Sequence, residues 1–230
     1  MPGDPTMARQ RILILGGTAE ARLLAERLVA EGHLVTTSLA GRTIDPALPA
    51  GAVRIGGFGG AEGLAAYLRQ EGFCRLIDAT HPFAHRISEN AIKASAMTGV
   101  ILEQHLRPRW QKQPGDRWKP VASLKAAAET LPPGATAFLA LGRQYLQAFT
   151  TRSDCRFVIR MVDAPEGPLP FADHLVVLGK PASTANQEAD LFTAHGVTHL
   201  VCRNSGGPAG YAKLIAARNL ALPVIIIERD

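Results

Sequence analysis

Short apolar runs alternate with helical patterns along this chain, and the alternation limits the folds that it can adopt. Residues 11–15 form one apolar run, residues 223–227 form the last, and others lie between them at regular intervals. A helical pattern follows the first run, with an apolar stripe predicted at Leu23, Leu24, Leu28 and Val29. Parallel strands need crossover helices between them, so the alternation predicts the α/β class with parallel sheets.

The alternation is interrupted once, and the interruption suggests two domains. Residues 105–120 contain three prolines, two tryptophans and several cations. We expect two Rossmann-like lobes, each a mainly parallel sheet flanked by helices, with a cleft between them. The predicted boundaries are a disordered lead-in at 1–10, a dinucleotide-binding lobe at 11–104, an interlobe loop at 105–120 and a C-terminal α/β lobe at 121–230.

Composition narrows the classes of function. The formal net charge of +5 favours acidic partners, but the cations are dispersed and aromatic residues are only 6% of the chain, which disfavours a nucleic-acid-binding protein. No apolar run approaches the ~18 residues of a membrane helix. Cys74, Cys155 and Cys202 are widely separated, which is typical of reduced thiols and predicts a cytoplasmic protein.

The first strand runs directly into a helix through a glycine turn. Backbone N–H groups at such a helix start suit a pyrophosphate, and the small Ala21 lets helix and strand pack closely. The complete G-x-G-x-x-G pattern is absent, so an ordinary glycine turn is the alternative. The predicted coenzyme-binding residues of this turn are Gly16, Gly17, Thr18, Ala19 and Glu20.

The end of the second strand indicates which coenzyme binds. An NAD site usually carries an acidic residue there for the ribose hydroxyls. Residues 36–42 contain no acid, whereas Ser38 and Arg42 offer a hydroxyl and a cation for a 2′-phosphate. We therefore predict NADPH rather than NADH. The alternative is that Arg42 is a solvated loop cation.

A third polar group follows the strand at residues 76–78. Thr80 and His81 come after this strand and before a helix predicted to start at Pro82, so they are expected at a ligand-binding edge near the nicotinamide. His81 and His85 have the spacing of a zinc pair, but no third ligand accompanies them, and we predict no metal. A capping role is the alternative for His81. Arg86, on the same helix, is a predicted substrate-binding residue.

The residues near the C-terminus are typical of an anion site. Two cations flank a serine, an asparagine and two glycines, which together neutralise charge, donate hydrogen bonds and permit close backbone approach. A plain glycine turn with solvated neighbours is the alternative. The predicted substrate-binding residues here and in neighbouring loops are Arg107, Arg109, Lys180, Arg203, Asn204, Ser205, Gly206, Gly207 and Lys213.

Three ordered motifs give the chain a family resemblance. Residues 15–22 (LGGTAEAR), 78–84 (DATHPFA) and 203–218 (RNSGG followed by KLIAAR) resemble the precorrin-6A reductase family of cobalamin biosynthesis over essentially the whole chain. The resemblance implies NADPH-dependent reduction of a carbon–carbon double bond in a polycarboxylate tetrapyrrole, precorrin-6A, to give precorrin-6B. The last residues, Glu228, Arg229 and Asp230, depart from the family's expected Arg-Pro ending.

The resemblance also implies roles for the predicted residues. Residues 16–20 would hold the pyrophosphate, Ser38 and Arg42 the 2′-phosphate, and Thr80 and His81 would border the nicotinamide. Arg203, Ser205 and Lys213 would bind substrate carboxylates or complete the coenzyme site. No Tyr-x-x-x-Lys dyad is present, so no residue is assigned a catalytic role.

Other functions remain open at this point. One alternative is the same reaction on the cobalt-containing substrate of the anaerobic pathway. A second is a two-lobed, cofactor-free enzyme similar to uroporphyrinogen synthase, which the glycine turn and Arg42 disfavour. A third is a non-catalytic NADP(H)-binding redox sensor, which the second anion site disfavours. A reductase of this kind is also a candidate for transient contact with the neighbouring enzymes of its pathway.

Overall fold

The computed structural model describes residues 9–41 and 47–229. The chain divides into two compact units, Met1–Leu106 and Arg107–Asp230. Each unit is built on one sheet of parallel strands with helices packed against it, so the predicted α/β class is confirmed. Most of the predicted lead-in, residues 1–8, lies outside the described residues, and so does Arg42.

The first unit contains a five-stranded sheet in the order β3-β2-β1-β4-β5. Its elements are β1 (Arg11–Leu15), α1 (Ala19–Ala30), β2 (Leu34–Leu39), β3 (Ala52–Ile55), α2 (Ala61–Gln70), β4 (Arg75–Asp78), α3 (His85–Thr98) and β5 (Ile101–Gln104). The chain reverses its direction of travel across the sheet between β1 and β4. In open α/β sheets, ligands bind at the carboxyl ends of the strands at this kind of switch point.

Helices cover both faces of this sheet. Ile12 and Ile14 of β1 pack with α1, whereas Leu13 and Leu15 pack with α2 and α3. The two sets alternate because successive strand side chains point to opposite faces. The apolar stripe predicted on α1 is only half right: Leu24 and Leu28 are buried, but Leu23 is 60% and Val29 36% exposed. These two fall outside the arc of the helix that contacts the sheet.

The second unit contains a six-stranded sheet in the order β6-β11-β10-β7-β8-β9. Its elements are β6 (Arg117–Val121), α4 (Leu124–Thr130), β7 (Thr136–Ala140), a 3-10 helix (Arg143–Phe149), β8 (Arg156–Met161), β9 (His174–Leu178), α5 (Ala185–Ala194), β10 (His199–Arg203), α6 (Ala212–Asn219) and β11 (Pro223–Ile227). Phe138 and Leu200 pack against α5 and α6 on one face, while Phe149 meets Phe157. Its switch point lies between β7 and β10.

The predicted interlobe loop, residues 105–120, differs from the structure at both ends. Residues 107–116 belong to the second unit, and residues 117–121 form β6. Pro120 made this segment unlike a strand, but β6 is an edge strand that pairs only with β11, and an edge position tolerates the missing N–H group. Within the described ranges, no helix combines the length and apolar character needed to cross a membrane.

Candidate functional site

The turn after β1 is shaped by a close approach to β2. The Gly16 N–H donates to the Ser38 carbonyl at 2.9 Å, and a Cβ on Gly16 would lie 2.7 Å from Thr37 Cγ2. Gly17 has φ +105°, a conformation that favours glycine, and the space where its Cβ would lie is open. Glycine at these two positions therefore keeps an open backbone surface at the start of α1.

Thr18 joins this turn to the neighbouring strand. Its hydroxyl accepts a hydrogen bond from the Ala21 N–H at 3.1 Å, which caps α1, and donates to the Ala79 carbonyl at 3.0 Å. The turn after β1 is thereby held against the end of β4 at the switch point of the sheet. Ala19 and Glu20 form the first turn of α1, where backbone N–H groups and the helix dipole favour an anion.

The end of β2 lies beside this turn and carries no carboxylate. Thr37 and Ser38 are buried, at 1% and 7% exposure. The Thr37 hydroxyl has no hydrogen-bond partner in the described part of the chain. Sequence reasoning identified Ser38 but not Thr37, whose methyl group makes a glycine necessary at position 16. Because Arg42 is not described, its predicted contact with a 2′-phosphate stays a prediction.

Thr80 and His81 follow the end of β4, which the Thr18 hydroxyl joins to the glycine turn. Asp78 Oδ1 accepts from the Thr80 N–H at 3.1 Å and from the Thr80 hydroxyl at 2.7 Å. His81 Nδ1 accepts from the Phe83 N–H at 3.3 Å, so its Nε2 carries the proton of the neutral ring. The helix α3 begins at His85 rather than at the predicted Pro82, because residues 81–84 form a separate turn, with the Ala84 N–H bonded to the His81 carbonyl.

Arg86 lies in the first turn of α3, and its side chain is exposed. A cation there does not help to stabilise the helix start, where the dipole favours negative charge. The described residues contain no group of three or more His, Cys, Asp or Glu side chains placed to hold a metal ion.

In the second unit, the predicted anion site lies where β10 ends. The Arg203 guanidinium lies 4.3 Å above the ring of Tyr145, which follows β7, so the two strands at the switch point contribute to one surface. The Ser205 hydroxyl and N–H both donate to the Arg203 carbonyl. Arg203 and Ser205 therefore lie in one short loop at the end of β10.

Lys213 is the most deeply buried of the predicted anion-binding cations, at 7% exposure. Its Nζ donates to the Gly210 carbonyl at 2.6 Å and lies 4.7 Å from the Trp110 ring. Burial lowers the pKa of the Lys213 amine. Burial also raises the pKa of the neighbouring Cys202 thiol to about 11, which keeps that thiol neutral.

The Asn204 side chain makes hydrogen bonds within the protein that the sequence did not indicate. Its Oδ1 accepts from the Trp110 N–H at 2.8 Å, and its Nδ2 donates to the Trp110 carbonyl at 3.2 Å and to the Glu228 carboxylate. These bonds fasten the segment around residue 110 to β10 and β11. Because both atoms of its amide are bonded within the protein, Asn204 supports the loop of the predicted site.

The two glycines of this loop have similar roles. Gly206 has φ +68°, and a Cβ there would lie 2.0 Å from the Pro108 carbonyl oxygen. The Trp110 indole N–H donates to the Gly207 carbonyl at 2.6 Å. Gly206 and Gly207 therefore let their loop pack closely against the backbone and side chains of residues 108–110. This is a packing role, which differs from the predicted binding of a ligand.

The remaining predicted cations differ in their surroundings. Arg109 lies 3.7 Å from the Glu228 carboxylate, and the Arg107 carbonyl accepts from Arg229 Nη1 at 2.8 Å. Lys180 is exposed in the loop after β9. Sequence reasoning missed Glu228 and Arg229, which brace this region. Their position directly after the last strand was the available signal.

Comparison with known proteins identifies the family of the chain. The family model described as "Precorrin-6x reductase CbiJ/CobK" matches residues 11–230. A precorrin-6A reductase from Rhodobacter capsulatus is 46% identical over 220 residues, covering 95% of this chain and 88% of that protein. A precorrin-6A reductase from Rhodococcus erythropolis is also 46% identical, over 95% of this chain and 89% of that one.

A solved structure and a more distant relative extend the comparison. The structure titled "CobK precorrin-6A reductase" superposes with a TM-score of 0.93 at 46% identity, covering 96% of this chain and 88% of that chain. A cobalt-precorrin-6A reductase from Priestia megaterium is 29% identical, over 95% of this chain and 90% of that protein. The match spans both units and includes the three motifs at residues 15–22, 78–84 and 203–218. The chain therefore belongs to the precorrin-6x reductase family.

Proposed function

We propose that this protein is an oxidoreductase that reduces one carbon–carbon double bond of precorrin-6A, giving precorrin-6B, with NADPH as the reductant. The observation that carries the proposal is the 46% identity to precorrin-6A reductases over 95% of the chain, which includes both sheets and both switch points. The bound coenzyme supplies a hydride, and the residues of the chain bind and orient the two reactants.

The turn after β1 fits a dinucleotide. Gly16 and Gly17 leave the backbone at the start of α1 uncovered, which suits a pyrophosphate at a helix N-terminus. Thr18 holds this turn against the end of β4, so Thr80 and His81 lie at the same switch point. We assign the pyrophosphate to residues 16–20 and the border of the nicotinamide to Thr80 and His81.

The preference for NADPH rests on the end of β2. A carboxylate there would repel a 2′-phosphate, and residues 34–41 contain none. Ser38 lies in β2 and offers a hydroxyl, and Arg42, which follows that strand in the sequence, offers a guanidinium for the 2′-phosphate. Titration calorimetry with NADPH and NADH tests this assignment. Arg42→Ala should weaken NADPH binding and leave NADH binding unchanged, with Arg27→Ala at the far end of α1 as the control.

The substrate's carboxylates suit the cations of the second unit. Arg203 and Lys213 lie at the carboxyl edge of its sheet, in the place where open α/β sheets bind ligands. We assign substrate carboxylates to these two cations and to Ser205, with further contributions from Arg107, Arg109 and Lys180 of the same unit. Arg86, which lies in the first unit, stays a predicted substrate-binding residue. Asn204, Gly206 and Gly207 support the loop.

No described residue is assigned as a general acid. We propose that the conjugated substrate accepts the hydride and takes its proton from solvent, while fixed charges orient it. We favour the metal-free substrate over its cobalt form. The Rhodobacter capsulatus precorrin-6A reductase is 46% identical to this chain, whereas the Priestia megaterium cobalt-precorrin-6A reductase is only 29% identical. Side-by-side turnover of the two substrates separates these alternatives. The three cysteines are unpaired, which fits a cytoplasmic enzyme.

A further inference from the structure

Glu188 is a fully buried carboxylate in the first turn of α5. Its Oε1 accepts hydrogen bonds from Arg160 Nη1 and from the Ala182 N–H, both at 2.7 Å. Its Oε2 is also buried and has no hydrogen-bond partner within residues 9–41 and 47–229. Burying a carboxylate costs free energy even when it is paired, so this residue is a poor choice for packing alone.

The bond from Ala182 connects Glu188 to the predicted anion site. Ala182 lies in the segment 179–184, which joins β9 to α5. This segment passes close to the turn that holds Lys213, since a Cβ on Gly210 would lie 4.0 Å from Pro181 Cγ. The Gly210 carbonyl in turn accepts the hydrogen bond from Lys213 Nζ. Glu188 therefore fastens the segment that lies against this turn.

The two helices also place Glu188 and Lys213 in corresponding positions. Each lies in the first turn of its helix, and α5 and α6 contribute Phe192 and Leu214 to one buried core. Both helix starts lie at the carboxyl edge of the second sheet. The buried carboxylate of Glu188 and the buried amine of Lys213 therefore belong to helix starts at the same edge of the sheet.

The charges around Lys213 come from three elements. The titratable or charged groups that act on its pKa are Glu188 from α5, Arg160 from β8, and Cys202 and Arg203 from β10. Burial is the largest cause that lowers the pKa of Lys213, and the two guanidiniums lower it further, whereas Cys202 and Glu188 raise it. A carboxylate at this place opposes the loss of the proton from the buried amine.

We infer that Glu188 is a positioning residue for Lys213: it fastens segment 179–184 against the Gly210 turn and supplies the buried counter-charge that keeps Lys213 an ammonium. The inference rests on the proposed function, in which Lys213 binds a substrate carboxylate. An ammonium binds a carboxylate strongly, and a neutral amine does not.

The first experiment measures this coupling without substrate or coenzyme. Glu188→Gln keeps an oxygen acceptor for Arg160 and Ala182 but removes the negative charge. NMR of the full-length protein with isotope-labelled lysine follows the titration of Lys213, identified by its loss in Lys213→Arg. We expect a lower titration midpoint in Glu188→Gln. Asp190→Asn, an exposed change of the same charge on the same helix, should leave the midpoint unchanged. An unchanged midpoint in Glu188→Gln overturns the inference.

The second experiment connects the charge to substrate binding. The alkaline rise in KM for precorrin-6A should move to lower pH in Glu188→Gln, with KM in the alkaline range rising about tenfold per pH unit moved. At lower pH the two KM values should converge, while kcat changes little. A lower NMR midpoint without this change in KM would support the counter-charge but refute the binding of substrate by Lys213.

A shorter carboxylate provides the test if Glu188→Gln does not fold. Glu188→Asp keeps the charge but cannot hold Ala182 in the same way. It should leave the Lys213 midpoint near that of the wild type while weakening substrate binding through the loosened segment. A midpoint that falls in Glu188→Asp, although the charge is retained, would contradict the inference.

Discussion

Gly16 lies so close to β2 that even a methyl group would overlap its neighbour. A Cβ at this position would be 2.7 Å from Thr37 Cγ2, and Thr37 is a stiff, β-branched and buried side chain. Gly16→Ala should displace the turn and weaken NADPH binding about tenfold, or roughly 1.4 kcal/mol. Fluorescence or calorimetric titration with NADPH measures this loss.

A second substitution at Thr37 provides the control for Gly16→Ala. Thr37→Ser keeps the hydroxyl and removes the methyl group that the added Cβ of Gly16→Ala would meet. The double variant Gly16→Ala with Thr37→Ser should therefore recover most of the lost NADPH affinity. If the double variant binds NADPH as poorly as Gly16→Ala alone, the overlap with Thr37 is not the reason for the glycine.

Lys213 is the cation on which substrate binding should depend most. Its charge is buried and held in place by the Gly210 carbonyl, so a substrate carboxylate would meet an ammonium with little competition from water. Lys213→Ala should raise KM for precorrin-6A at least about tenfold, with circular dichroism confirming the fold. Lys125→Ala, an exposed cation on α4, is the matched control. Unchanged kinetics in Lys213→Ala would refute its role.

At the scale of elements, Asn204 fastens three segments of the second unit. Its amide pairs with the backbone of Trp110 and with Glu228, and it is 2% exposed. Asn204→Ala leaves the buried Trp110 N–H without its acceptor, which should lower the free energy of unfolding by about 1–3 kcal/mol. Urea denaturation followed by tryptophan fluorescence measures the change. Asn219→Ala, at the exposed end of α6, should have little effect, and equal losses in both variants would count against this role.

The burial of each cysteine predicts which thiols react, and Cys202 lies in the central strand β10. Cys202 is fully buried with its pKa raised to about 11, and Cys155 is buried with a raised pKa, whereas Cys74 is exposed. A thiol reagent near neutral pH should therefore modify Cys74 in the native protein, and Cys155 and Cys202 only after unfolding. Mass spectrometry of the labelled peptides identifies the sites. Rapid native labelling of Cys202 would contradict the placement of β10.

Regular elements were predictable to different extents. β1 and β11 have the predicted bounds, because each is a compact apolar run between clear breaks. The strand β6 was missed because its sequence, RWKPV, has the proline and charges of a loop, and only its pairing with β11 makes it a strand. The helix α4 is short and alanine-rich, with too few large apolar residues to give a helical period.

The candidate site shows a similar limit. Contacts within one turn, such as Thr18 capping α1, follow from local sequence. The overlap of Gly16 with Thr37 and the bonds from Asn204 to Trp110 join residues far apart in the chain, so only the fold reveals them. The use of Asn204 and Gly206 in packing was hidden for the same reason: glycine and asparagine serve ligands and tight turns alike.

For the whole molecule, we propose that the sheet of the first unit binds the coenzyme and the sheet of the second unit binds substrate carboxylates. The most direct measurement is the consumption of NADPH by the purified protein with and without precorrin-6A, with NADH in parallel. We predict consumption that requires precorrin-6A and is faster with NADPH. Binding of NADPH with no consumption in the presence of precorrin-6A would contradict the claim.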